Sequence, residues 1–313
     1  QAYSNYSFNF DAASSDGFKI DYTTGGPIQP SNAVLELDGF SVSAWINVDT
    51  SLAAGNGIWQ NDGYSGTSPI NYGGLLLQIN QTGIVNVGYS TGSGTGTAFR
   101  KNYLSNAVLS TNTWHHLVVV YRGIDNNPLL YVDGVEYTSG WSSSGSAAVL
   151  GYTPLGFGTI GIVRDGVSGT DGQISNLALF NTTLSAQDAQ TIYNNGVTQN
   201  LLESAIPPPT CWYPLDESSS YYSGSEWTIR DIVPLRTKDG VGLNTGNVDD
   251  MVGIAPGSYS NGTGVNLVID DLMGQSSESI RNSYSINMTD YGNPNNTFPL
   301  TPASSGRTTF TPG

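Results

Sequence analysis

The chain has 313 residues, of which 39 are glycine and only 11% are charged, and its formal net charge is −15. The length corresponds to about two domains, and the abundance of glycine and tyrosine favours an all-β chain with many turns. Acidic residues outnumber basic ones both within residues 1–200 (13 against 5) and after them (12 against 5), so we expect no binding of nucleic acid, which requires a stripe of lysine and arginine.

Cysteine content and hydropathy exclude further classes of protein. Cys211 is the only cysteine, so the chain has no intrachain disulfide framework and no thiolate zinc site. No apolar stretch approaches the ~20 residues that a membrane-spanning helix needs, so we expect no membrane insertion. Because the sequence begins at Gln1 and not at a methionine, we expect that preceding residues were removed.

The first part of the chain alternates short apolar and polar steps. Phe8 and Phe10 face one way on an opening strand, and in residues 40–46 apolar side chains occupy every second position. Residues 75–79 and 84–89 predict further strands. Residues 90–97 are rich in glycine and serine and are predicted to form an exposed loop.

Three strands are predicted near the middle of the chain. The consecutive apolar residues 117–121 predict a central strand that is covered on both faces. After a polar turn, residues 129–132 form a second apolar run, and Asp133-Gly134 supplies the two positive φ positions of a tight type I′ turn. The pattern therefore predicts an antiparallel meander.

One helix and one domain boundary are predicted after the meander. Ser185 and Asp188 can form a capping box at the start of a helix over residues 186–195. A stiff triproline segment then divides the chain. The predicted parts are a domain of residues 1–200, a proline-rich linker of residues 201–210, and a smaller irregular β unit with an extended C-terminal arm at residues 211–313.

A resemblance to a known family appears when the motifs are taken together. Trp114-His115-His116 is followed by a valine-rich strand, a polar turn and the sequence Leu-Tyr-Val-Asp-Gly at residues 130–134. With four flanking segments in matching order, this centre resembles the laminin G-like, concanavalin A-like jelly-roll family. The resemblance implies a jelly-roll sandwich over residues 5–197. Residues 211–217 are similar to a segment found behind laminin G-like domains in phage-encoded proteins.

The resemblance raises the question of catalysis, because the family includes glucanases. Those enzymes carry Glu-x-Asp-x-x-Glu on one strand, with one carboxylate as nucleophile and the other as proton donor. Here Glu36 and Asp38 supply the first two carboxylates, but Ser41 stands where the second catalytic glutamate would be. Because that carboxylate is missing, we predict that the chain is not an enzyme.

His115 and His116 are the only histidines of the chain. Adjacent strand residues point to opposite faces, so the pair cannot jointly hold a metal. We expect one ring to pack near the core with Trp114 and the other to face solvent. No Gly-x-Ser-x-Gly motif accompanies them, so the sequence does not support a Ser-His-Asp triad.

The resemblance also implies a calcium site where the opening loop meets the closing strand. Carried over residue by residue, Asp11 and Asp16 match the family's paired acids, and Asp171 matches the closing acid. Calcium prefers several carboxylate and carbonyl oxygens. The alternative, that these acids only cap turns, stays open because the chain has no dense Asp-x-Asp-x-Asp loop.

Carbohydrate binding needs exposed aromatic rings that stack on sugars, with amide and carboxylate groups for the hydroxyls. The candidate rings lie in or beside loops rich in glycine and serine: Tyr64, Tyr72, Tyr89, Trp141 and Tyr152. Such loops are equally typical of protein interfaces, and packing over sheet edges is the third alternative.

These observations predict a non-enzymatic structural and attachment protein at the surface of a virion, as a capsid decoration, spike or fibre component of a marine phage. Its partners would be other virion subunits or copies of itself, and its loops would meet a cell-surface glycan. The alternative is a secreted lectin or adhesin that binds carbohydrate with calcium as cofactor.

Overall fold

Short strands with alternating residues pair into two large antiparallel sheets. The structure, a computed structural model, describes residues 3–4, 6–21, 39–49, 55–60, 72–80, 82–94, 96–123, 126–147, 157–163, 168–222, 227–233, 240–242 and 251–252. These residues contain twenty strands, numbered β1 to β20 along the chain, and one α-helix, α1. The fold is therefore the all-β sandwich that the sequence predicts.

The first sheet, sheet A, has a fully covered centre. Its described strands are β1 (Ser7–Phe10), β3 (Phe40–Val48), β8 (His115–Tyr121), β9 (Leu129–Val132), β10 (Val135–Glu136), β15 (Gly172–Phe180), β16 (Cys211–Tyr213) and β20 (Met251–Val252). They lie in the order β10-β9-β8-β3-β15-β1-β20, and β16 also pairs with β15. The three central strands, β8, β3 and β15, are buried along almost their whole length.

The second sheet, sheet B, forms the opposite layer. Its described strands are β2 (Phe18–Asp21), β4 (Asn56–Gln60), β5 (Tyr72–Ile79), β6 (Ile84–Gly94), β7 (Arg100–Val108), β11 (Trp141–Gly145), β12 (Phe157–Ile160), β17 (Ser220–Tyr222), β18 (Trp227–Ile229) and β19 (Gly240–Gly242). They lie in the order β11-β7-β6-β5-β4-β12-β2-β19-β18-β17. A separate pair is formed by β13 (Ile162–Val163) and β14 (Ser168–Gly169).

The predicted meander is confirmed, and one predicted loop is wrong. Strands β8, β9 and β10 pair antiparallel in sequence order. The turn between β9 and β10 has Asp133 at φ 52° and Gly134 at φ 79°, as a type I′ turn requires. The loop predicted at residues 90–97 begins later than expected, because β6 continues to Gly94, which pairs with Tyr72.

Aromatic side chains fill the space between the two sheets. Phe8 of β1 meets Phe18 of β2 edge to face, with ring centroids 5.1 Å apart, and Phe10 meets the same ring at 5.9 Å. Phe40 of β3 meets Trp59 of β4 at 6.4 Å. Each such buried ring contributes roughly 1.5–3 kcal/mol through loss of exposed apolar surface, so these contacts hold the two layers together.

The other face of sheet A is covered by α1 (Ala186–Tyr193) and by the chain that follows it. The buried side chains beneath this cover include Val118, Val120, Phe180, Leu184, Ile192, Leu201 and Trp212. Strand β8 is thus covered on both faces, as its continuous apolar sequence predicts.

Helix α1 begins at the predicted cap. Ser185 Oγ accepts the Asp188 N–H at 3.1 Å, and Asp188 Oδ2 accepts the Ser185 N–H at 2.8 Å. The helix ends at Tyr193, earlier than predicted, because Asn194 adopts the left-handed conformation with φ 48°. No helix in the described part of the chain is long and apolar enough to span a membrane.

The prediction of a separate unit at residues 211–313 is wrong for the described residues between 211 and 252. Strand β16 pairs with β15, β19 pairs with β2, and β20 pairs with β1. Trp212 is fully buried, and Asp231 Oδ1 accepts its N–H at 3.0 Å. These strands complete the sandwich because the edges of β15, β1 and β2 offer backbone groups to pair with. Residues 253–313, which include the predicted C-terminal arm of the unit at residues 211–313, lie outside the described residues.

Candidate functional site

Sheet B turns one face to the core and one away from it. In β5, β6 and β7 the buried side chains Leu75, Leu77, Val85, Val87 and Tyr103 occupy every second position. Because strand side chains alternate between faces, the residues between them lie on the opposite side, here called the outer face: Leu76, Gln78, Asn86, Gly88, Asn102 and Leu104.

The strand register aligns one row of residues across all ten strands on this outer face. The row, from β11 to β17, is Ser144, Asn102, Gly88, Leu76, Gln60, Thr159, Lys19, Val241, Thr228 and Tyr221. At about 4.8 Å between strands the row is about 43 Å long. Its middle is closed, since Gln60 is 2% and Thr159 1% exposed, whereas both ends are open.

The open end toward β11 carries carboxamides and hydroxyls. We call it the amide patch and define it by Gln78, Asn86, Asn102, Ser142 and Ser144. Asn86 Nδ2 donates to Gln78 Oε1 at 3.0 Å, whereas Asn86 Oδ1 is buried and accepts no hydrogen bond from the residues that the structure describes. Leaving such an acceptor unpaired costs about 1–3 kcal/mol.

Glycine at position 88 makes room for the amide patch. A Cβ atom on Gly88 would lie 2.5 Å from Asn102 Oδ1, so the Asn102 carboxamide rests directly over the glycine. The exposed Ser142 and Ser144 lie on the next strand beside Leu104 and Asn102. Four strands, β5, β6, β7 and β11, thus present a polar surface about 14 Å wide.

The open end toward β17 is basic and aromatic. Tyr221 is 49% exposed, and the Arg230 guanidinium carbon lies 5.5 Å from the centroid of its ring. Lys19 is exposed on the same row, three strand spacings from Tyr221. We call these three residues the basic end. No local sequence pattern predicts the basic end, because its residues meet only through the pairing of β18 with β19 and of β19 with β2.

The aromatic residues predicted to bind sugar lie elsewhere. Tyr89 is only 2% exposed and donates its hydroxyl to the Ala147 carbonyl at 3.0 Å, so the prediction that its ring is exposed is wrong. It occupies a core position because it alternates in phase with Val85 and Val87. Trp141 is partly buried on the edge strand β11, on the core side with Tyr103, 6.4 Å away between ring centroids.

The side chains of three of the predicted aromatic residues lie outside the described part of the structure. Tyr72 is the first residue of β5 and pairs with Gly94 through its backbone. Tyr64 and Tyr152 lie outside the described residues. Their role in sugar binding stays a prediction.

The predicted calcium acids meet at one end of sheet A. Because Phe10, Gly172 and Val48 are paired neighbours, Asp11, Asp171 and Asp49 come next to one another where their strands end. Burial, followed by the negative charge of Asp171, raises the pKa of the Asp49 carboxyl.

The hydrogen bonds of these acids are those of turn-forming residues. Asp11 Oδ1 accepts the Ala13 N–H at 2.8 Å, and the Asp11 N–H donates to Asp16 Oδ2 at 2.9 Å. In the described part of the chain, no group of three or more Asp, Glu, His or Cys residues is arranged to hold a metal. Calcium binding through Asp11, Asp16 and Asp171 stays a prediction.

His116 is the buried histidine. Its Nε2 lies 2.9 Å from Ser43 Oγ. The rings beside it are Trp45, at 4.9 Å between centroids, and Tyr193, at 6.1 Å, where the sequence analysis expects Trp114. Burial lowers the pKa of His116 to about 3 in spite of the nearby Asp133, so the ring is neutral at neutral pH.

His115 belongs to a hydrogen-bonded chain that the sequence analysis does not predict. Ser110 Oγ lies 2.8 Å from His115 Nε2, and His115 Nδ1 lies 2.9 Å from Asp133 Oδ2. Although this is the connectivity of a catalytic triad, Asp133 Oδ1 also accepts the His116 N–H at 2.8 Å. Burial alone would raise the pKa of Asp133, but the hydrogen bonds from His115 and His116 lower it. These hydrogen bonds therefore clamp the start of β8 to the β9–β10 turn.

Ser41, which stands at the position of a glucanase carboxylate, is also structural. It is fully buried in β3, donates Oγ–H to the Thr182 carbonyl at 2.9 Å and accepts the Leu184 N–H at 2.9 Å. Glu36 and Asp38 lie outside the described residues. Ser41 thus joins β3 to the segment that leads into α1.

A match to a protein-family model identifies the superfamily of the chain. A model of the concanavalin A-like lectin/glucanases superfamily matches residues 22–190, which is more than half of the chain. The chain belongs to this superfamily. No curated protein matches the sequence.

Solved structures with a similar fold include proteins of different length. A candidate carbohydrate-binding protein from Bacteroides ovatus has a TM-score of 0.51 and 19% identity, with 82% of this chain and 62% of that chain covered. The CBM40 domain of Ruminococcus gnavus IT-sialidase, bound to α2,3-sialyllactose, has a TM-score of 0.42 and 13% identity over 60% of this chain and 96% of that chain. The heptameric SAP-like pentraxin of Limulus polyphemus has a TM-score of 0.35 and 13% identity over 62% of this chain and 91% of that chain. The similarity concerns the fold, and this chain spans about 62% of the length of the Bacteroides protein.

Proposed function

We propose that this superfamily member is a non-enzymatic, lectin-like carbohydrate-binding module and that the amide patch on the outer face of sheet B contacts the glycan. The observation that carries the proposal is the amide patch itself, with the Asn102 carboxamide seated over Gly88 and the Asn86 carboxamide joined to Gln78 by a hydrogen bond. The Bacteroides protein with the similar sandwich is described as a candidate carbohydrate-binding protein, which supports the same function.

The chemistry of the amide patch suits sugar hydroxyls. A carboxamide offers two donors and an acceptor, and a serine hydroxyl can donate and accept, so each can pair with a vicinal diol. Gln78 and Asn86 are already joined by a hydrogen bond, so little side-chain freedom is lost when a sugar binds. Leu76 and Leu104, on the same face, can pack against the apolar edges of a pyranose ring.

The composition of the outer row supports binding without catalysis. Both routes of glycoside hydrolysis need two carboxyl groups at the scissile bond. The ten residues of the row contain no aspartate or glutamate. We therefore expect the chain to release no reducing sugar from β-glucans.

A glycan array followed by titration tests the proposal. We expect the full chain to bind at least one glycan, and Asn86→Ala and Asn102→Ala each to weaken that binding about tenfold, as loss of a buried hydrogen bond would. Ser143→Ala is the matched control, because Ser143 is exposed on β11 but faces the other way. Binding that is absent, or equally affected by all three variants, would contradict the proposal.

The proposal has two finer alternatives, a virion component and a secreted lectin that requires calcium. The resemblance of residues 211–217 to a phage-associated segment supports a virion component. Light scattering of the purified chain, with and without a chelator, separates the alternatives. A closed assembly that persists without calcium would support the virion component, and a monomer whose glycan binding is lost with chelator would support the secreted lectin.

A further inference from the structure

We infer that the glycan is acidic and that its carboxylate or sulfate groups bind at the basic end of the outer face, formed by Lys19, Tyr221 and Arg230. This inference rests on the proposed function, because it assigns a ligand class to the same face of sheet B. It adds a second contact region, which begins at β2, three strand spacings or about 14 Å from β5 of the amide patch, and reaches β17, six spacings or about 29 Å from β5.

The contacts of Arg230 carry the inference. Its backbone N–H donates to the Ser219 carbonyl at 2.8 Å, which fixes the position of the residue beside β17. Its guanidinium lies 5.5 Å from the ring centroid of Tyr221. Among the described residues, the side chains that form an ion pair are His115 and Asp133, so Arg230 has no carboxylate partner in that part of the chain. The guanidinium donors therefore have no anionic acceptor there.

The distribution of charge on the outer face points the same way. The chain carries 25 acidic and 10 basic residues, yet alternation along the described strands places Lys19, Arg100 and Arg230 on this face. Asp21, the last residue of β2, is the one acidic residue in the described strands of sheet B. A locally cationic surface on an acidic chain attracts an anion over roughly a Debye length while the rest of the chain repels it.

The pairing of Tyr221 with Arg230 suits an acidic sugar better than a free anion. A guanidinium donates two parallel hydrogen bonds to a carboxylate or sulfate, and an exposed phenol ring packs against the apolar face of a pyranose. Tyr221 is 49% exposed and lies on the outer row with Thr228 and Lys19. The basic end therefore offers one contact for the charge and another for the ring that carries it.

The chain supplies closely matched controls. Tyr222 is adjacent to Tyr221 and equally exposed, at 51% against 49%, but points to the opposite face. Lys101 carries the same charge as the basic residues of the outer face, but lies on the core side of β7, 5.6 Å from the Tyr103 ring centroid. The test set is therefore Tyr221→Ala against Tyr222→Ala and Arg230→Gln against Lys101→Gln.

The probes are matched acidic and neutral oligosaccharides: oligogalacturonates with their carboxyl-reduced forms, and heparin oligosaccharides with their desulfated forms. The full chain is titrated with each probe. We expect at least one acidic probe to bind about tenfold or more tightly than its neutral form. We also expect this preference to fall between about 0.05 M and about 0.5 M salt.

The variants decide which part of the account fails. Arg230→Gln and Tyr221→Ala should abolish the preference for the acidic form, while Lys101→Gln and Tyr222→Ala keep it. Neutral probes that bind as well as acidic ones would overturn the inference and leave the proposed function standing. A preference that survives Arg230→Gln would also overturn it. If no glycan of the wider array binds, both the inference and the proposed function are wrong.

Discussion

The two sheets of the sandwich have the same strand geometry but differ in how much of their surface is covered. The centre of sheet A is covered on both faces, by the interior on one side and on the other by α1 together with Leu201, Ile206, Ile232 and Val233. Sheet B is covered on its core face, while its outer face keeps two open regions with amides, hydroxyls and cations. Sheet A is therefore the scaffold, and sheet B is the surface available to a ligand.

The difference between the sheets is already visible in their strand sequences. Strand β8 reads as a continuous apolar run, as a strand covered twice must. Strands β6 and β7 alternate apolar and polar residues, which leaves polar groups on one side. Loss of a side chain should therefore damage stability in sheet A and binding in sheet B.

The largest expected effect is on the cover of sheet A. Trp212→Ala removes a fully buried ring from the cluster beneath α1. We expect a loss of about 3–5 kcal/mol in the free energy of unfolding, measured by urea denaturation. Tyr221→Ala, an exposed aromatic residue on sheet B, is the control and should change stability by less than about 0.5 kcal/mol. Equal losses in the two variants would remove the contrast between the sheets.

His116 makes the scaffold sensitive to acid. Its pKa of about 3 in the folded chain lies below the ordinary value of 6.5, so the unfolded chain binds the proton more readily. Stability should therefore fall by up to about 1.4 kcal/mol per pH unit as the pH drops from about 6.5 towards 3. His116→Gln should flatten this part of the curve of unfolding free energy against pH. An unchanged slope in the variant would show that another group is responsible.

Asp133 should contribute in a narrower window of pH. Its pKa is lowered by the hydrogen bonds from His115 and His116, against the effect of burial, so its stabilising contribution is present above the unfolded value of about 3.9 and lost below it. Asp133→Asn should cost about 1 kcal/mol at pH 7, given the partial exposure of the pair. The cost should shrink as the pH falls below about 4. A cost that does not depend on pH would contradict the assigned clamp.

On sheet B, a change at Gly88 should affect binding more than folding. Its added Cβ would displace the Asn102 carboxamide, a flexible group, from its place over the strand. We expect Gly88→Ala to weaken glycan binding about tenfold, with the unfolding midpoint close to that of the parent chain. Parallel losses in stability and binding would mean that residue 88 supports the fold and not the ligand.

The smallest effect is expected at Trp141, one of the rings first predicted to meet sugar. Its ring lies on the core side of β11 with Tyr103, so Trp141→Ala should change glycan affinity by less than about twofold. Titration of the variant against the parent chain measures this. A large loss of affinity would move the binding surface from the outer face to the edge of the sandwich.

Features that depend on neighbouring residues could be predicted from the sequence. The Asp133-Gly134 turn and the Ser185–Asp188 capping box rest on local conformational preferences, and the structure contains both. The alternation of Tyr89 with Val85 and Val87 also indicates its burial, whereas the glycine-rich segment beside it is typical of an exposed loop. The superfamily was predicted correctly because its motifs occur in order along the chain.

Features that depend on long-range pairing could not be predicted in this way. No local pattern shows that β16 pairs with β15 or that β19 pairs with β2, since these partners are far apart along the chain. The outer row that joins Asn102 to Tyr221 exists only through the register of ten strands. The basic end therefore could not be predicted from local sequence patterns.

The most direct test of the central claim compares methyl groups on the two sheets in the presence of a spin-labelled glycan chosen from the array. Leu76 and Leu104 report on the outer face of sheet B, and Leu184 and Ile192 report on the cover of sheet A. We predict paramagnetic broadening of the Leu76 and Leu104 methyl signals with little change at the other two. Broadening at Leu184 and Ile192, with Leu76 and Leu104 unaffected, would contradict the account.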